Sequence, residues 1–329
     1  MLTARQNFIE TVTGGSPDRY VNQYEYLNIL PHPALTRRCN VMKGQENIVN
    51  DWGVTFSWRE DQPGAFPVHT PDLIVCKDVE EWQDYVKAPQ ATFSEAEWEP
   101  FVAMAEGVDR TEQFVAAVMA PGVSEMVTHL CGMTEAMCAF YESPDEMHDL
   151  IKYLTEYEVQ VAEDVCAHLH PEIIFHHDDW GSAISTFIAP DMFAEFFVDA
   201  YKLIYGAYRE HGVQYVVHHS DSYAATIVPS MIEMGIDVWQ GVLKSNDIPS
   251  LISQYGGQIT FMGGIENSAL DRVDWTPEKI ATEVRSVCEA CGTKYFIPCL
   301  TAGSAESAFP GVYESVSDAI DACSKALFA

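Results

Sequence analysis

Basic side chains are scarce in this chain. Its 329 residues include 18 lysines and arginines against 49 aspartates and glutamates, so the formal net charge is −31. Nucleic acids and anionic membranes bind proteins through clustered lysine and arginine side chains. The charge therefore argues against both as partners and favours a weakly charged small molecule or a basic protein surface.

Long apolar runs and a regular cysteine spacing are also lacking. No apolar run reaches the roughly 18 residues of a membrane-spanning helix, and residues 1–6 lack the apolar core of a signal peptide. The nine cysteines are an odd number without framework spacing, which is typical of reduced thiols. We therefore expect a cytoplasmic protein without a membrane segment.

Glycine-rich nucleotide-binding motifs are missing, but a regular alternation of strands and helices begins at residue 114. This alternation predicts a parallel sheet with right-handed crossovers. We expect an α/β protein with the (β/α)8 TIM-barrel fold, in which the eighth strand has a weak signal. A doubly wound sheet is the alternative, although no G-x-G-x-x-G or Walker pattern follows any strand. The predicted strands are 20–26, 114–119, 172–176, 214–218, 237–240, 258–262 and 294–298.

Residues 27–110 do not follow this rhythm. Prolines occur throughout the segment, and Trp52 and Trp58 flank a predicted hairpin. A stretch of this length is too long for a simple loop. We predict one domain over residues 1–329, with 27–110 as an irregular elaboration, or lid, on the rim of the barrel.

One predicted strand ends in a polar cluster. The apolar run 215–217 leads into His218, His219 and, after a serine, Asp221. Buried parallel strands deliver polar side chains in this way to the C-terminal rim of a barrel, where such enzymes have their active sites. Residues i and i+2 of a strand point the same way, so His219 and Asp221 can converge on one ion or substrate.

Cys299, at the end of the last predicted strand, supplies a third donor. Imidazole, carboxylate and thiolate all bind zinc, and a catalytic site needs only three protein ligands. We therefore predict a metal site formed by His219, Asp221 and Cys299. The alternative is a polar rim in which His219 and Asp221 hydrogen-bond each other and Cys299 is merely buried. His218 would face the other way, where packing is the alternative to a substrate contact.

A second strand end carries His176, His177, Asp178 and Asp179. Adjacent carboxylates repel each other, so one of them could have a raised pKa and serve as a proton donor or substrate anchor. The alternative is that an aspartate caps a turn beginning at Trp180. We expect one of the two aspartates to be structural, and we name His177, Asp178 and Asp179 as catalytic candidates.

Four further residues are weaker candidates. Glu266 follows two glycines after a predicted strand, where the backbone can approach a ligand closely, and is named as catalytic. A capping or solvated carboxylate is the alternative there. Substrate contacts are predicted for Gln240 at a strand end, Tyr313 after a Pro-Gly turn and Tyr24 in an aromatic-rich segment. Packing roles are the alternative for these residues.

The chain resembles the uroporphyrinogen decarboxylase superfamily, and within it the methyltransferase branch. The resemblance rests on the order and spacing of short segments, which are 15–19, 51–54, 178–181, the His219 strand and 261–266. It implies a (β/α)8 barrel. For the methyltransferase branch it also implies methyl transfer between small molecules or thiols and a cobalt corrinoid on a separate protein. The zinc in that branch is held by a His-x-Cys pair and a later cysteine.

This chain departs from the branch at one ligand. It reads His219-Ser220-Asp221 where the branch has His-x-Cys, and Cys299 falls near the later cysteine. A His/Asp/Cys set is harder than a His/Cys/Cys set and would leave the zinc more Lewis-acidic. The decarboxylase branch matches less well, because its Arg-rich N-terminal motif is reduced here to Arg37-Arg38. An acidic protein is also poorly suited to a porphyrinogen that carries many carboxylates.

The predicted function is zinc-dependent transfer of a methyl group between a small O-methyl substrate and the corrinoid (cobalamin) of a partner protein. The aromatic residues of segment 20–70 would suit a flat methoxylated ring. The alternatives are methyl transfer from a corrinoid to a thiol, a decarboxylase, and a non-catalytic barrel that docks a corrinoid protein. Because family members are sometimes dimers, a homodimer is a further expectation.

Overall fold

The fold is built around one curled sheet of parallel strands. A computed structural model describes residues 1–38, 41–62 and 64–328. In chain order the strands are β1 (Leu27–Leu30), β2 (Ile48–Val49), β3 (Thr55–Ser57), β4 (Phe66–Pro67), β5 (Phe114–Met119), β6 (Ile173–His177), β7 (Tyr215–His219), β8 (Val238–Val242), β9 (Thr260–Ile265) and β10 (Phe296–Leu300).

Helices surround this sheet. They are α1 (Ala4–Val12), α2 (Pro33–Arg38), α3 (Trp82–Tyr85), α4 (Glu95–Glu106), α5 (Val123–Cys131), α6 (Met133–Glu142), α7 (Pro144–Leu169), α8 (Pro190–Phe193), α9 (Asp199–Glu210), α10 (Val228–Met234), α11 (Ile248–Tyr255), α12 (Asn267–Leu270), α13 (Pro277–Cys291) and α14 (Val312–Leu327). A π-helical turn at Ala194–Val198 joins α8 to α9, and 3₁₀ turns occupy Ala225–Ile227 and Lys244–Asn246.

Local signals account for several helix ends. Thr3 and Gln6 form a capping box at the start of α1. The long helix α7 begins with Pro144, whose missing N–H would have no partner there. It ends at His170, which has a left-handed backbone.

The expected α/β barrel type is confirmed. The large sheet has the order β1-β5-β6-β7-β8-β9-β10, and every neighbouring pair is parallel. Seven strands are paired in this sheet within the described residues, and no eighth strand joins β10 to β1. Side chains bridge that gap instead: Gln23 accepts a hydrogen bond from the Leu300 N–H at 3.3 Å, and the Tyr24 hydroxyl donates to the Ala302 carbonyl at 2.9 Å.

The predicted strand at 20–26 is wrong by several residues. That segment is irregular, and the strand is Leu27–Leu30. The physical reason is that Gln23 and Tyr24 direct their side chains toward the end of β10. The backbone of segment 20–26 therefore does not pair with a strand of the sheet. The other six predicted strands are present, with ends that differ by up to three residues.

Strand residues alternate between the barrel interior and the helices. Phe175 and Val217 belong to an inner apolar cluster, whereas Ile174 and Val216 pack with the helices. At the end where the strands begin, the ring of Phe8 from α1 packs against aromatic rings at the starts of β5 and β7. The interior is therefore a filled core, and only the opposite end of the barrel is available for a site.

The predicted hairpin around Trp52 is part of a small antiparallel sheet. Strand β2 pairs with β3, and β3 pairs with β4. The Asn50 side chain accepts hydrogen bonds from the Trp52 and Val54 N–H groups, which fixes the first turn. We call β2, β3, β4 and their connections the rim sheet.

Within the described residues, no helix is long and apolar enough to cross a membrane.

Gly241 shapes the strand that leads to the site. The pairing of β8 with β9 shifts register between Gln240 and Val242, and Gly241 has a φ of +93°. A Cβ added at Gly241 would lie 2.9 Å from the Ser220 carbonyl oxygen. The backbone of this irregular turn therefore requires glycine.

Replacing Gly241 by alanine should lower the free energy of unfolding by about 1–3 kcal/mol, because the side chain enters a left-handed backbone next to a carbonyl. Urea-induced unfolding followed by circular dichroism measures this change. Gly206, inside α9, has no atom within 4 Å of an added Cβ. Gly206→Ala should stabilise the helix by about 0.5–1 kcal/mol, so equal destabilisation by both changes would contradict the prediction.

Candidate metal centre

Three polar side chains stand side by side at the C-terminal ends of adjacent strands. The register pairs His177 of β6 with His219 of β7, and His219 with Gln240 of β8. His177 and His219 continue the inner-facing alternation of Phe175 and Val217, so their rings enter the mouth of the barrel. The two imidazole rings lie 4.5 Å apart, measured between centroids.

His177, His219 and Asp179 form a compact group of possible ligands. Each offers one ligand atom, and these atoms all lie within 4.8 Å of one another. Two imidazole nitrogens and one carboxylate oxygen form a set that binds zinc and leaves a coordination position open for a substrate. We call His177, Asp179 and His219 the donor triad.

The donor triad lies in a cavity of about 650 Å³ between the strand ends and the rim sheet. Aromatic side chains of the rim sheet and its connections line the cavity together with carboxylates from the strand ends and α5. Arg38 is the only lysine or arginine among the described lining residues, and its guanidinium donates to the Pro121 carbonyl at 2.9 Å. The described lining residues are Arg38, Val41, Phe56, Trp58, Gly64, Ala65, Phe66, Pro67, Ala120, Pro121, Glu125, His129, His177, Asp179, His219, Asp221, Ala302 and Gly303.

Negative charge is concentrated around the donor triad. Glu125 and Asp221 line the same cavity as Asp179, and the Asp221 N–H donates to the Asp179 carboxylate at 3.0 Å. Burial, with repulsion from Asp179, raises the pKa of Asp221 to about 6. The same two causes raise the pKa of Glu125 well above its ordinary value. Such a cluster is stabilised by bound protons or by a cation.

The remaining groups fit a divalent cation. Burial and the neighbouring His219 lower the pKa of His177 to about 4, so its imidazole is neutral and can bind a metal. The Glu125 Oε2 atom is buried 3.5 Å from His177 Nε2 and makes no hydrogen bond. An unsatisfied buried carboxylate oxygen beside two imidazoles and two further carboxylates suits a site for zinc.

Cys299 does not join this group. The thiol lies in the inner apolar cluster, and burial raises its pKa so that it is a neutral thiol. Strand β10 lies three positions along the sheet from β7, whereas β6 is adjacent to β7. Sheet adjacency therefore brings His177, rather than the predicted Cys299, to His219. Asp221 shares the cavity, but it does not belong to the group whose ligand atoms all lie within 4.8 Å of one another.

The two adjacent aspartates separate into different environments. Asp178 is fully buried, and its carboxylate accepts hydrogen bonds from the Ser124 and Glu125 N–H groups at 2.9 and 2.8 Å, at the start of α5. The Tyr201 hydroxyl also donates to it. Asp178 is thus placed as a helix cap, and Asp179 is the one that reaches the cavity.

The other predicted contacts lie outside the cavity lining. The Glu266 carboxylate accepts from the Lys244 N–H at 2.9 Å. Tyr24 is part of the inner cluster, and Tyr313 lines a separate groove between β1 and α14. His218 is fully buried between the sheet and the helices, with its ring stacked 3.8 Å from that of Trp180. Gln240, which is also buried, accepts a hydrogen bond from His219 Nδ1.

Glu125 was not predicted from the sequence. It follows β5 by several residues and lies in the first turn of α5, after Pro121 and Gly122. The sequence feature that could have indicated Glu125 is its position soon after a predicted strand and a Pro-Gly turn. An isolated glutamate in a helical pattern does not distinguish a cavity wall from a solvated face.

Comparison with known proteins identifies the family. The family model described as uroporphyrinogen decarboxylase (URO-D) matches residues 51–320, which is most of the chain. The chain belongs to the uroporphyrinogen decarboxylase family. A comparison with curated proteins gives no match.

The solved structure of a methyltransferase shows the same fold. A methyltransferase from Methanosarcina mazei superposes with a TM-score of 0.69 over 100% of both chains, at 14% sequence identity. A GH18 chitinase from Pseudoalteromonas aurantia has a TM-score of 0.38 and 13% identity, covering 73% of this chain and 85% of its own. An endo-β-1,4-mannanase from Cellulomonas fimi has a TM-score of 0.43 and 12% identity, covering 97% and 74%.

A buried polar layer supports the strand ends of this family member from outside. Glu158 of α7 lies 3.5 Å from His176 Nε2, and Tyr205 links His176 to His218 through hydrogen bonds of 2.9 Å. Burial raises the pKa of Glu158 to about 7 and lowers the pKa of His176 to about 3. Both groups are therefore neutral over a range of mildly acidic pH.

The raised pKa of Glu158 predicts a pH-dependent stability. The folded state keeps its proton up to a pH of about 7, whereas the unfolded chain releases it near 4.5. The contribution of Glu158 to the free energy of unfolding is therefore fully present below a pH of about 4.5 and is lost as the pH rises through 7. The unfolding free energy of the wild type, relative to Glu158→Gln, should fall by on the order of 1 kcal/mol per pH unit from pH 5 to 7.

Urea titrations at several pH values, on metal-free protein, measure this difference. Glu163→Gln is the matched control, because Glu163 is exposed on the same helix. Its stability difference from the wild type should not change with pH. A Glu158→Gln curve parallel to that of the wild type would contradict the assignment.

Proposed function

We propose that this protein is a zinc-dependent methyltransferase of the uroporphyrinogen decarboxylase family. It would move a methyl group between a small O-methyl substrate, such as a methoxylated aromatic ring, and the corrinoid of a partner protein in the cytoplasm. The donor triad in a cavity with an aromatic wall is the observation that carries the proposal. The shared fold with the Methanosarcina methyltransferase supports it.

The residues of the donor triad would hold the metal. When bound, zinc supplies a Lewis acid that stabilises negative charge on the oxygen from which the methyl group leaves. Glu125 and Asp221, whose raised pKa values favour their protonated forms, can donate a proton to that oxygen. The chain thus contributes charge stabilisation and a proton source in one place.

The cavity can position a flat substrate. Its volume of about 650 Å³ lies in the ordinary range for small-molecule sites. Phe56 and Trp58 line the cavity, and aromatic side chains pack favourably against a flat ring. A methoxylated ring held there would direct its ether oxygen toward the donor triad and its methyl group toward the opening.

A corrinoid partner would approach at the rim. The partner's corrinoid, with its cobalt in the reduced state, would supply the electron pair for the new bond to the methyl carbon, and the C–O electron pair would remain on the substrate oxygen. Phe66 of the rim sheet lines the cavity and is 48% exposed. Ile184 after β6 and Val273 after β9 are 83% and 84% exposed. Exposed apolar side chains of this kind favour protein docking.

Two other activities receive less support. A porphyrinogen decarboxylase must bind many substrate carboxylates, but Arg38 is the only lysine or arginine among the described lining residues and three carboxylates share the cavity. Methyl transfer to a thiol favours softer, thiolate-containing zinc sites, whereas the donor triad is made of nitrogen and oxygen. An oxygen-bound methyl group fits the hard donors better.

The metal assignment predicts about one zinc per chain in the purified protein, measured by elemental analysis. His219→Ala and His177→Ala should both lose the metal, because each removes a member of the donor triad. Cys299→Ser should retain it, since the thiol lies outside the triad. His211→Ala, at an exposed histidine, is the control. Zinc lost from Cys299→Ser but kept in His177→Ala would restore the ligand set predicted from the sequence.

The activity predicts methylation of added cob(I)alamin by a methoxylated aromatic compound, with release of the phenol. The loss of cob(I)alamin absorbance and the phenol product are both measurable. Asp179→Asn should slow the reaction by about 100-fold or more, because it weakens the metal site. Methyl transfer from methylcobalamin to a thiol would support the alternative acceptor. Carbon dioxide released from a porphyrinogen, with cobalamin unchanged, would support a decarboxylase instead.

A further inference from the structure

We propose that Gln240 is a positioning residue of the metal site. It fixes His219 in the tautomer with hydrogen on Nδ1, so that Nε2 is the metal-binding atom. This inference rests on the metal site of the proposed function, and not on the identity of the methyl donor.

The hydrogen bonds of Gln240 determine which way its amide points. One end of the amide lies 3.1 Å from the Leu300 carbonyl oxygen and 3.5 Å from that of Ala302. Carbonyl oxygens only accept hydrogen bonds, so this end must be the NH₂ group. The other end is therefore the oxygen, which can only accept, and it faces His219 Nδ1.

The tautomer of His219 follows from this orientation. Because the Gln240 oxygen has no hydrogen to donate, Nδ1 of His219 must carry the hydrogen of the neutral imidazole. The lone pair is then on Nε2, which is left free to be the ligand atom of the donor triad. A hydrogen bond from the second ring nitrogen to an acceptor also raises the basicity of the ligand.

Packing leaves this pair little freedom. Gln240 is fully buried. A Cβ added at Gly303 would lie 3.0 Å from His219 Nδ1, so the backbone of Gly303 closes over the ring. The irregular turn at Gly241 follows directly and holds the end of β8. Gln240, the side chain that orients His219, is therefore held in position by a strand and not by a loop.

Gln240→Met tests the tautomer, because methionine has a similar length but no strong acceptor. Zinc affinity, measured by competition with a chromophoric chelator, should fall by about 10–100-fold. Gln240→Glu should recover much of the affinity, since a protonated carboxyl group can accept from His219 and donate to the Leu300 carbonyl. Gln254→Met, at an exposed glutamine, should leave the affinity unchanged.

Nitrogen-15 NMR of histidine in the metal-free wild type gives an independent measurement that needs no variant of Gln240. Signals lost in His219→Ala identify the ring, and they should show the hydrogen on Nδ1. A hydrogen on Nε2, or an unchanged zinc affinity in Gln240→Met, would overturn the proposal.

If the tautomer and zinc affinity are as expected but no methyl transfer occurs, the proposed function fails and the role of Gln240 stands.

Discussion

The parallel register of β6, β7 and β8 is the constraint on which the site depends. Because His177 pairs with His219, and His219 with Gln240, two possible ligands and the amide that orients one of them leave the sheet side by side. A shift of one residue in a strand would turn its side chain to the opposite face. The apolar residues earlier in β6 and β7 are buried on both faces of the sheet. The packing that fixes the register of these strands therefore also fixes the positions of the site residues.

Like charges held close together connect the site with the rest of the chain. Glu125, Asp179 and Asp221 share one cavity in a protein with a net charge of −31. The nearby Arg38 guanidinium is bound to backbone carbonyls of the segment after β5. Compensation must therefore come from protons or from a cation, and the carboxyl groups proposed as proton donors, Glu125 and Asp221, lie in the same cavity as the donor triad.

The sequence was sufficient to predict which side of the sheet each of these side chains faces, but not which strands are neighbours in the sheet. Alternation with a period of two placed His219 at the mouth of the barrel and His218 among the helices, as the structure has them. The partner of His219 depends on sheet order and register, which are long-range properties. For that reason Cys299 was expected beside it, whereas His177 is there.

Other differences have similar causes. Asp178 and Asp179 looked equivalent as neighbours, and only the position of the α5 N-terminus makes Asp178 a cap. The aromatic segment 20–26 had the composition of a strand, but its side chains are used to bridge β1 and β10. In both cases the residue type was read correctly, but tertiary contacts decide which role the side chain has.

The cavity draws its two walls from separate stretches of the chain. The possible ligands are on β6 and β7, while the aromatic wall comes from the rim sheet, which is inserted before the regular alternation begins. Replacements in the insertion can alter the shape offered to a substrate without disturbing the strands that carry the ligands. Descendants of one ancestral barrel could thus diverge in the molecules they accept while inheriting a common reaction.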